Sequence, residues 1–113
     1  MKLVKAYIRH RKTEEVFRAL EAKGFGAVTL VECEGTGKYT DREKEHISEK
    51  FPFTDASKVI KLEILIPDSN VKKVVTTIKK NGRTGHPGDG MVLVSPIDEV
   101  YKIKNEKAGI DSV

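Results

Sequence analysis

An α+β fold made of two strand-helix-strand halves is predicted by three observations. Apolar residues alternate with polar ones near the start and in the middle of the chain, each alternating run is followed by apolar residues at helical spacing, and Gly or Pro marks the joins. The 113 residues suffice for one buried core, so residues 1–113 are read as one domain.

The first run places Val4, Ala6 and Ile8 on one parity and Leu3, Lys5, Tyr7 and Arg9 on the other, which is strand periodicity. Thr13 is positioned to cap a helix whose Val16, Phe17 and Leu20 form an apolar stripe, and Gly24 is its natural stop. Between Gly26 and Gly35, the run Val28, Thr29, Leu30 and Val31 favours a second strand. The clearest strand carries Ile60, Leu62, Ile64 and Ile66 on one parity against Lys61 and Glu63. Pro67 ends it, Asp68 or Ser69 is placed to cap a second helix with Val71, Val74, Val75 and Ile78 as its buried stripe, and Gly82 closes that helix. A glycine-rich turn then leads into a last extended stretch, Met91–Val94 and Ile97–Lys104, interrupted at Pro96.

Between the halves the periodicity dissolves. The 23 residues from Thr36 to Lys58 hold five basic and five acidic side chains. Such an excursion inside a compact domain is a mobile binding element, a disordered excursion or a plain solvated loop, with a short helix around Arg42–Lys50 as an option. The order strand, helix, strand, long loop, strand, helix, strand is the ferredoxin-like βαββαβ arrangement. Two helices cover one face of a four-stranded sheet, yet the other parity still offers Leu3, Tyr7, Val31, Cys33 and Leu65. Burial of apolar surface stabilises by about 25 cal/mol per Å2, so a symmetric oligomer is expected to cover that second face.

Composition narrows the function. Charged residues make up 34% of the chain and the net charge is +4, which suits mild affinity for anions and falls short of a nucleic-acid-binding tail. Neither a bilayer-spanning run nor a signal-peptide pattern is visible, and a cytoplasmic location is expected. With Cys33 as the sole cysteine, one chain has no internal disulfide. His10, His46 and His86 lack the spacing of zinc ligands, and no metal site is expected.

The densest local signal is Thr84-Gly85-His86-Pro87-Gly88-Asp89-Gly90. Glycines let backbone N–H groups come close to a ligand, and successive amides can form a concave anion site, although a tight turn without ligand is an equal reading. The Lys-Ser/Thr pair of a nucleotide-hydrolysing P-loop is missing. Lys102 and Lys104, two apart on a strand, would share a face and could grip one phosphate chain, or simply line an exposed edge. Gly35-Thr36-Gly37-Lys38 again joins flexible backbone to a cation where the long loop starts. The three elements together favour a nucleotide-like polyanion. Asp89 could serve as a base or a magnesium ligand, but in a Gly-Asp-Gly turn it more often stabilises the turn.

These residues resemble the PII nitrogen-regulatory signal-transduction proteins, from Met1 to about Lys104. The turn is similar to that family's TGxxGDGKIF signature, and Pro96–Val100 followed by Lys102-Ile103-Lys104 looks like its last strand with alternating basic residues. The helix after Ile66-Pro67-Asp68 and the turn Glu34-Gly35-Thr36-Gly37 look like family features too. The resemblance implies a homotrimer of ferredoxin-like subunits with ATP, ADP or AMP in the clefts between neighbours, and no catalytic residues. It implies that Gly35, Gly37 and Lys38 approach the ligand from the loop base and that Gly88, Asp89 and Gly90 present backbone to the phosphates. Lys102 and Lys104 would arrive from the next subunit, while Thr29 and Leu65 would hold the adenine. The 36–58 loop would respond to the ligand and dock on a target protein, a transporter or an enzyme, and residues 105–113 would be a C-terminal tail.

The chain also departs from the family pattern. Lys102 and Lys104 replace two arginines, and Met91 replaces the signature's lysine, which weakens the case for ATP and leaves ADP or AMP. Tyr39 stands where members that sense 2-oxoglutarate have glutamine, and Phe51 and Phe53 occupy the stretch of the tyrosine that some members modify. A variant reading adenylate state, with bicarbonate as a second effector as in carboxysome-associated relatives, fits these departures. A slow ATPase using the same cleft, with Asp89 as its base, is the enzymatic alternative. An RNA-binding module lacks the aromatic platform it would need, since Tyr7 stands alone.

Overall fold

The computed structural model describes residues 1–35 and 58–104. Its elements are β1 (Lys2–Arg9), α1 (Thr13–Ala22), β2 (Thr29–Glu34), β3 (Lys58–Ile66), α2 (Val71–Gly82) and β4 (Met91–Pro96), with short 3-10 turns at His10–Lys12 and Asp68–Asn70. The strands form one antiparallel sheet in the order β2-β3-β1-β4. In each half the two strands joined by a helix lie parallel with a strand of the other half between them, the split arrangement expected from the sequence.

Strand periodicity sets the core. Val4, Ala6 and Ile8 of β1 and Ile60, Leu62, Ile64 and Ile66 of β3 face the helices and are buried. Val16 and Leu20 from α1 and Val74 and Ile78 from α2 close over them. Each fully buried aliphatic side chain contributes about 1.5–3 kcal/mol. Most of β2 and all of β4 except Val92 are exposed or nearly so, because these strands form the two edges.

The open face follows from the register. Leu3 sits opposite Leu65 and Ser95, Tyr7 opposite Lys61 and Met91, and Cys33 opposite Val59. Val31, Met91 and Leu93 lie on this face with 40%, 62% and 43% of their surface exposed. To the apolar residues expected there, the structure adds Val59, Met91 and Leu93.

Several local expectations are corrected. Thr13 opens α1 without capping it, and its hydroxyl donates instead to the His10 carbonyl at 2.7 Å, tying the helix to the preceding 3-10 turn. Neither Asp68 nor Ser69 caps α2. A 3-10 turn intervenes, and Asp68 pairs with the Met1 amino group at 3.0 Å and with Lys2 Nζ at 3.2 Å. The last extended stretch forms no continuous strand to Lys104. β4 ends at Pro96, the Ile97 amide still donates to the Met1 carbonyl, and Ile103 and Lys104 lie in a turn. Beyond Ile97 the described chain has only an isolated bridge at Tyr101, followed by coil and turn, so Lys102 and Lys104 do not share a strand face. Lys58 of the expected loop opens β3, while residues 36–57, with Gly37 and Lys38, and the tail 105–113 lie outside the described residues.

Candidate functional site

The turn between α2 and β4 is built by a carboxylate. α2 ends at Gly82, which packs against β1 and α1: a Cβ there would stand 3.7 Å from Ile8 Cγ2 and 3.5 Å from Val16 Cγ2. The chain leaves through an extended Arg83 and folds around Asp89. Asp89 Oδ2 accepts the amides of Thr84 and Gly85, each at 2.9 Å. Its Oδ1 accepts the Thr84 hydroxyl at 2.5 Å and Arg9 Nε at 2.9 Å. The Thr84 oxygen in turn accepts the His86 amide at 3.1 Å, and the Pro87 carbonyl accepts Arg9 Nη2 at 2.8 Å.

The Thr84 hydroxyl, with help from Arg9 and the two amides and against partial burial, holds the Asp89 carboxyl well below the usual carboxylate range. Both oxygens are fully engaged, so this carboxylate is a weak base with no oxygen to spare for a metal. The turn-stabilising reading of Asp89 is the one the geometry supports. Among the described residues the amides of Gly88, Asp89 and Gly90 donate to no protein group. Gly88 and Gly90 take φ of +98° and +93°, a region open to glycine and costly for other residues. Successive amides without protein acceptors on a braced turn are the kind of backbone element from which anion sites are built.

The other expected site residues are scattered over one chain. Gly90 precedes β4 beside Tyr7 and Ile8, at the Arg9 end of the sheet. Gly35 follows Glu34, which pairs with Lys58 at that same end. Thr29 pairs with Glu63 at mid-sheet, and Leu65 pairs with Leu3 near the opposite end. Five strand residues separate the levels of Leu65 and Gly90, roughly 17 Å at about 3.4 Å per residue. Pro96 pairs with Lys2, so the segment bearing Lys102 and Lys104 sets out from the end opposite the glycine turn. One chain therefore joins Gly88, Asp89 and Gly90, with Gly35 at the same end, and leaves Leu65 and Thr29 apart from them.

Arg9, Arg11 and Lys58 went unrecognised as site residues. Together with His10, Glu32, Val59 and Gly88 they line a groove of about 450 Å3. Arg9 is separated by 80 positions from the aspartate it holds, and no local pattern links the two. Thr84 lay inside the glycine motif, but its hydroxyl's role needed the folded turn.

The described residues thus form an antiparallel split-βαβ domain with a braced, glycine-rich turn between its second helix and last strand. The profile of the nitrogen regulatory protein P-II family matches residues 1–107, and the chain belongs to that family of nitrogen-regulatory signalling proteins. It is similar to "Nitrogen regulatory protein P-II 2" of Methanothermobacter thermautotrophicus, 36% identical over all of this chain and 97% of that protein. It also resembles the "Nitrogen regulatory protein P-II" of Pyropia yezoensis, 33% identical over the full length of both. The "Nitrogen fixation nifHD region GlnB-like protein 1" of Methanothermobacter marburgensis is 33% identical over 97% of this chain and the whole of its own.

Proposed function

We propose that this P-II family member binds an adenine nucleotide, ATP, ADP or AMP, in clefts between the copies of a homotrimer. Occupancy passes through the 36–58 segment to a target protein, a transporter or an enzyme. The observation that carries the reading is the Thr84–Gly90 turn, whose Gly88, Asp89 and Gly90 amides have no protein acceptor among the described residues. Its hydrogen bonds to Asp89, Thr84 and Arg9 shape the turn before any ligand arrives, which lowers the ordering cost of binding.

A site shared between copies accounts for the scatter of the remaining residues. Leu65 and Thr29 lie on the open face, and the Lys102–Lys104 segment leaves from the far end of the sheet, so a neighbour's elements are needed to complete the cleft. The same packing buries Val31, Met91 and Leu93, whose exposure on one chain is otherwise unfavourable. With lysines in place of the family's arginines and Met91 in place of its lysine, fewer cations and no planar forks meet the phosphates, which favours ADP or AMP over ATP.

The role is regulatory and needs no bond-breaking step, for Asp89 is spent on its turn. Differential affinity for loop states of about 1–3 kcal/mol changes partner affinity roughly 5- to 150-fold. Isothermal calorimetry with ATP, ADP and AMP tests the reading: saturable binding of at least one is expected, and no heat from any of them at millimolar ligand ends it.

A further inference from the structure

Arg9 closes β1, and its guanidinium reaches across the glycine turn. Nε donates to Asp89 Oδ1 at 2.9 Å, and Nη2 donates to the Pro87 carbonyl at 2.8 Å. Gly88 lies between these anchors, so close that a Cβ on it would come within 3.3 Å of Nη2. The guanidinium thus grips the turn on both sides of the first amide in the Gly88–Gly90 series. A planar fork with fixed donor directions sets an orientation that a flexible ammonium does not.

The other end of Arg9 is fixed as well. Its backbone pairs with Val59 of β3, and the next residue, Lys58, pairs with Glu34 of β2. The side chain is about one-quarter exposed, as is that of Asp89, so water screens the pair only in part. One residue therefore anchors the anion turn to the central strands of the sheet.

We propose that Arg9 is a positioning residue: acting through Asp89 and the Pro87 carbonyl, it holds the amides of Gly88, Asp89 and Gly90 in the orientation that receives a nucleotide's phosphates. The inference rests on the nucleotide-binding reading above and assigns a new residue to that site. Its role requires no contact between Arg9 and the ligand.

The test titrates ADP and adenosine into the full chain and into Arg9→Gln, Arg9→Lys, Asp89→Asn and the Arg9→Gln/Asp89→Asn double variant. Loss of a charge-assisted hydrogen bond predicts that Arg9→Gln weakens ADP about tenfold or more. Adenosine, which has no phosphate, should change by less than about twofold on the same reasoning. Because Arg9 acts partly through Asp89, the double variant loses less than the sum of the two single losses, since coupled residues are not additive. Arg9→Lys should fail to restore full ADP affinity. Hydrogen exchange in the ligand-free proteins should show faster exchange of the Thr84 and Gly85 amides in Arg9→Gln, with β1 and β3 still protected. Additive losses, full rescue by lysine, unchanged ADP binding or unchanged exchange at Thr84 and Gly85 would each overturn the proposal. Wild-type protein that binds no adenine nucleotide defeats the underlying reading as well, whereas normal wild-type binding with an unaffected Arg9→Gln defeats only the role of Arg9.

Discussion

Gly90 lies against the backbone of Tyr7 so closely that a Cβ on it would stand 1.7 Å from the Tyr7 carbonyl oxygen. This contact fixes where β4 joins β1, because the next residue, Met91, is the register partner of Tyr7. A side chain here must displace a strand, and the φ of +93° adds its own cost.

Gly90→Ala should therefore destabilise the fold by about 3 kcal/mol or more, combining backbone strain with overpacking. Gly85→Ala is the control. It shares a positive φ of +87°, but a Cβ there meets nothing within 4 Å, so only the conformational cost of about 1–2 kcal/mol applies. Urea denaturation of the two variants checks the difference, and equal losses would show that the Tyr7 contact is easily relieved.

Asp89 makes stability depend on pH in a stated direction. Its carboxyl is held below its ordinary value in the folded chain, so the stabilisation is fully present above the unfolded value. It is lost as pH falls below about 4 toward the depressed folded value. Asp89→Asn should lower stability at pH 7 and flatten this acid-side slope. Thermal melts from pH 7 to pH 2 would reveal it, and parallel curves for the two proteins would refute the assignment.

Covering the open face predicts the assembly. Light scattering at micromolar concentration should give the mass of three chains, and Leu93→Glu should shift it toward one, because a charge at this apolar position loses its hydration on burial. A monomeric mass for the wild type would remove the shared cleft.

The core separates two kinds of buried residue. Leu62→Ala should cost about 2–5 kcal/mol, since the side chain is wholly buried between the sheet and both helices. Thr77→Val should cost about 1 kcal/mol or less. The Thr77 hydroxyl donates to the Lys73 carbonyl and accepts Lys23 Nζ at 3.0 Å, and the exposed lysine can turn to water instead. Chemical denaturation ranks the two, and a larger loss at Thr77 would mean that this hydroxyl organises the helix pair.

The two alternating runs made β1 and β3 legible, because a sheet with one face buried imposes a period of two on its central strands. The helices were legible from Val16, Leu20, Val74 and Ile78, but Thr77 escaped because a buried hydroxyl is invisible to apolar periodicity. Helix starts misled for a physical reason. Thr13 and Asp68 have side chains suited to capping, yet 3-10 turns precede both helices and divert those groups to His10, Met1 and Lys2. In the candidate site, Gly88, Asp89 and Gly90 stand out through local composition. Arg9 does not, since its partner is brought to it only by the pairing of β1 with β4.

The cross-strand pair Glu34 and Lys58 stitches together the entry and exit of the 36–57 segment. A bight whose two feet stand side by side transmits little of its length to the sheet beneath, and doubling such a span adds only about 0.6 kcal/mol of closure entropy. Grafts of unlike size and composition between Gly35 and Lys58 should thus be tolerated by one unchanged platform, leaving this region free to diversify while the sheet and the Thr84–Gly90 turn stay as they are.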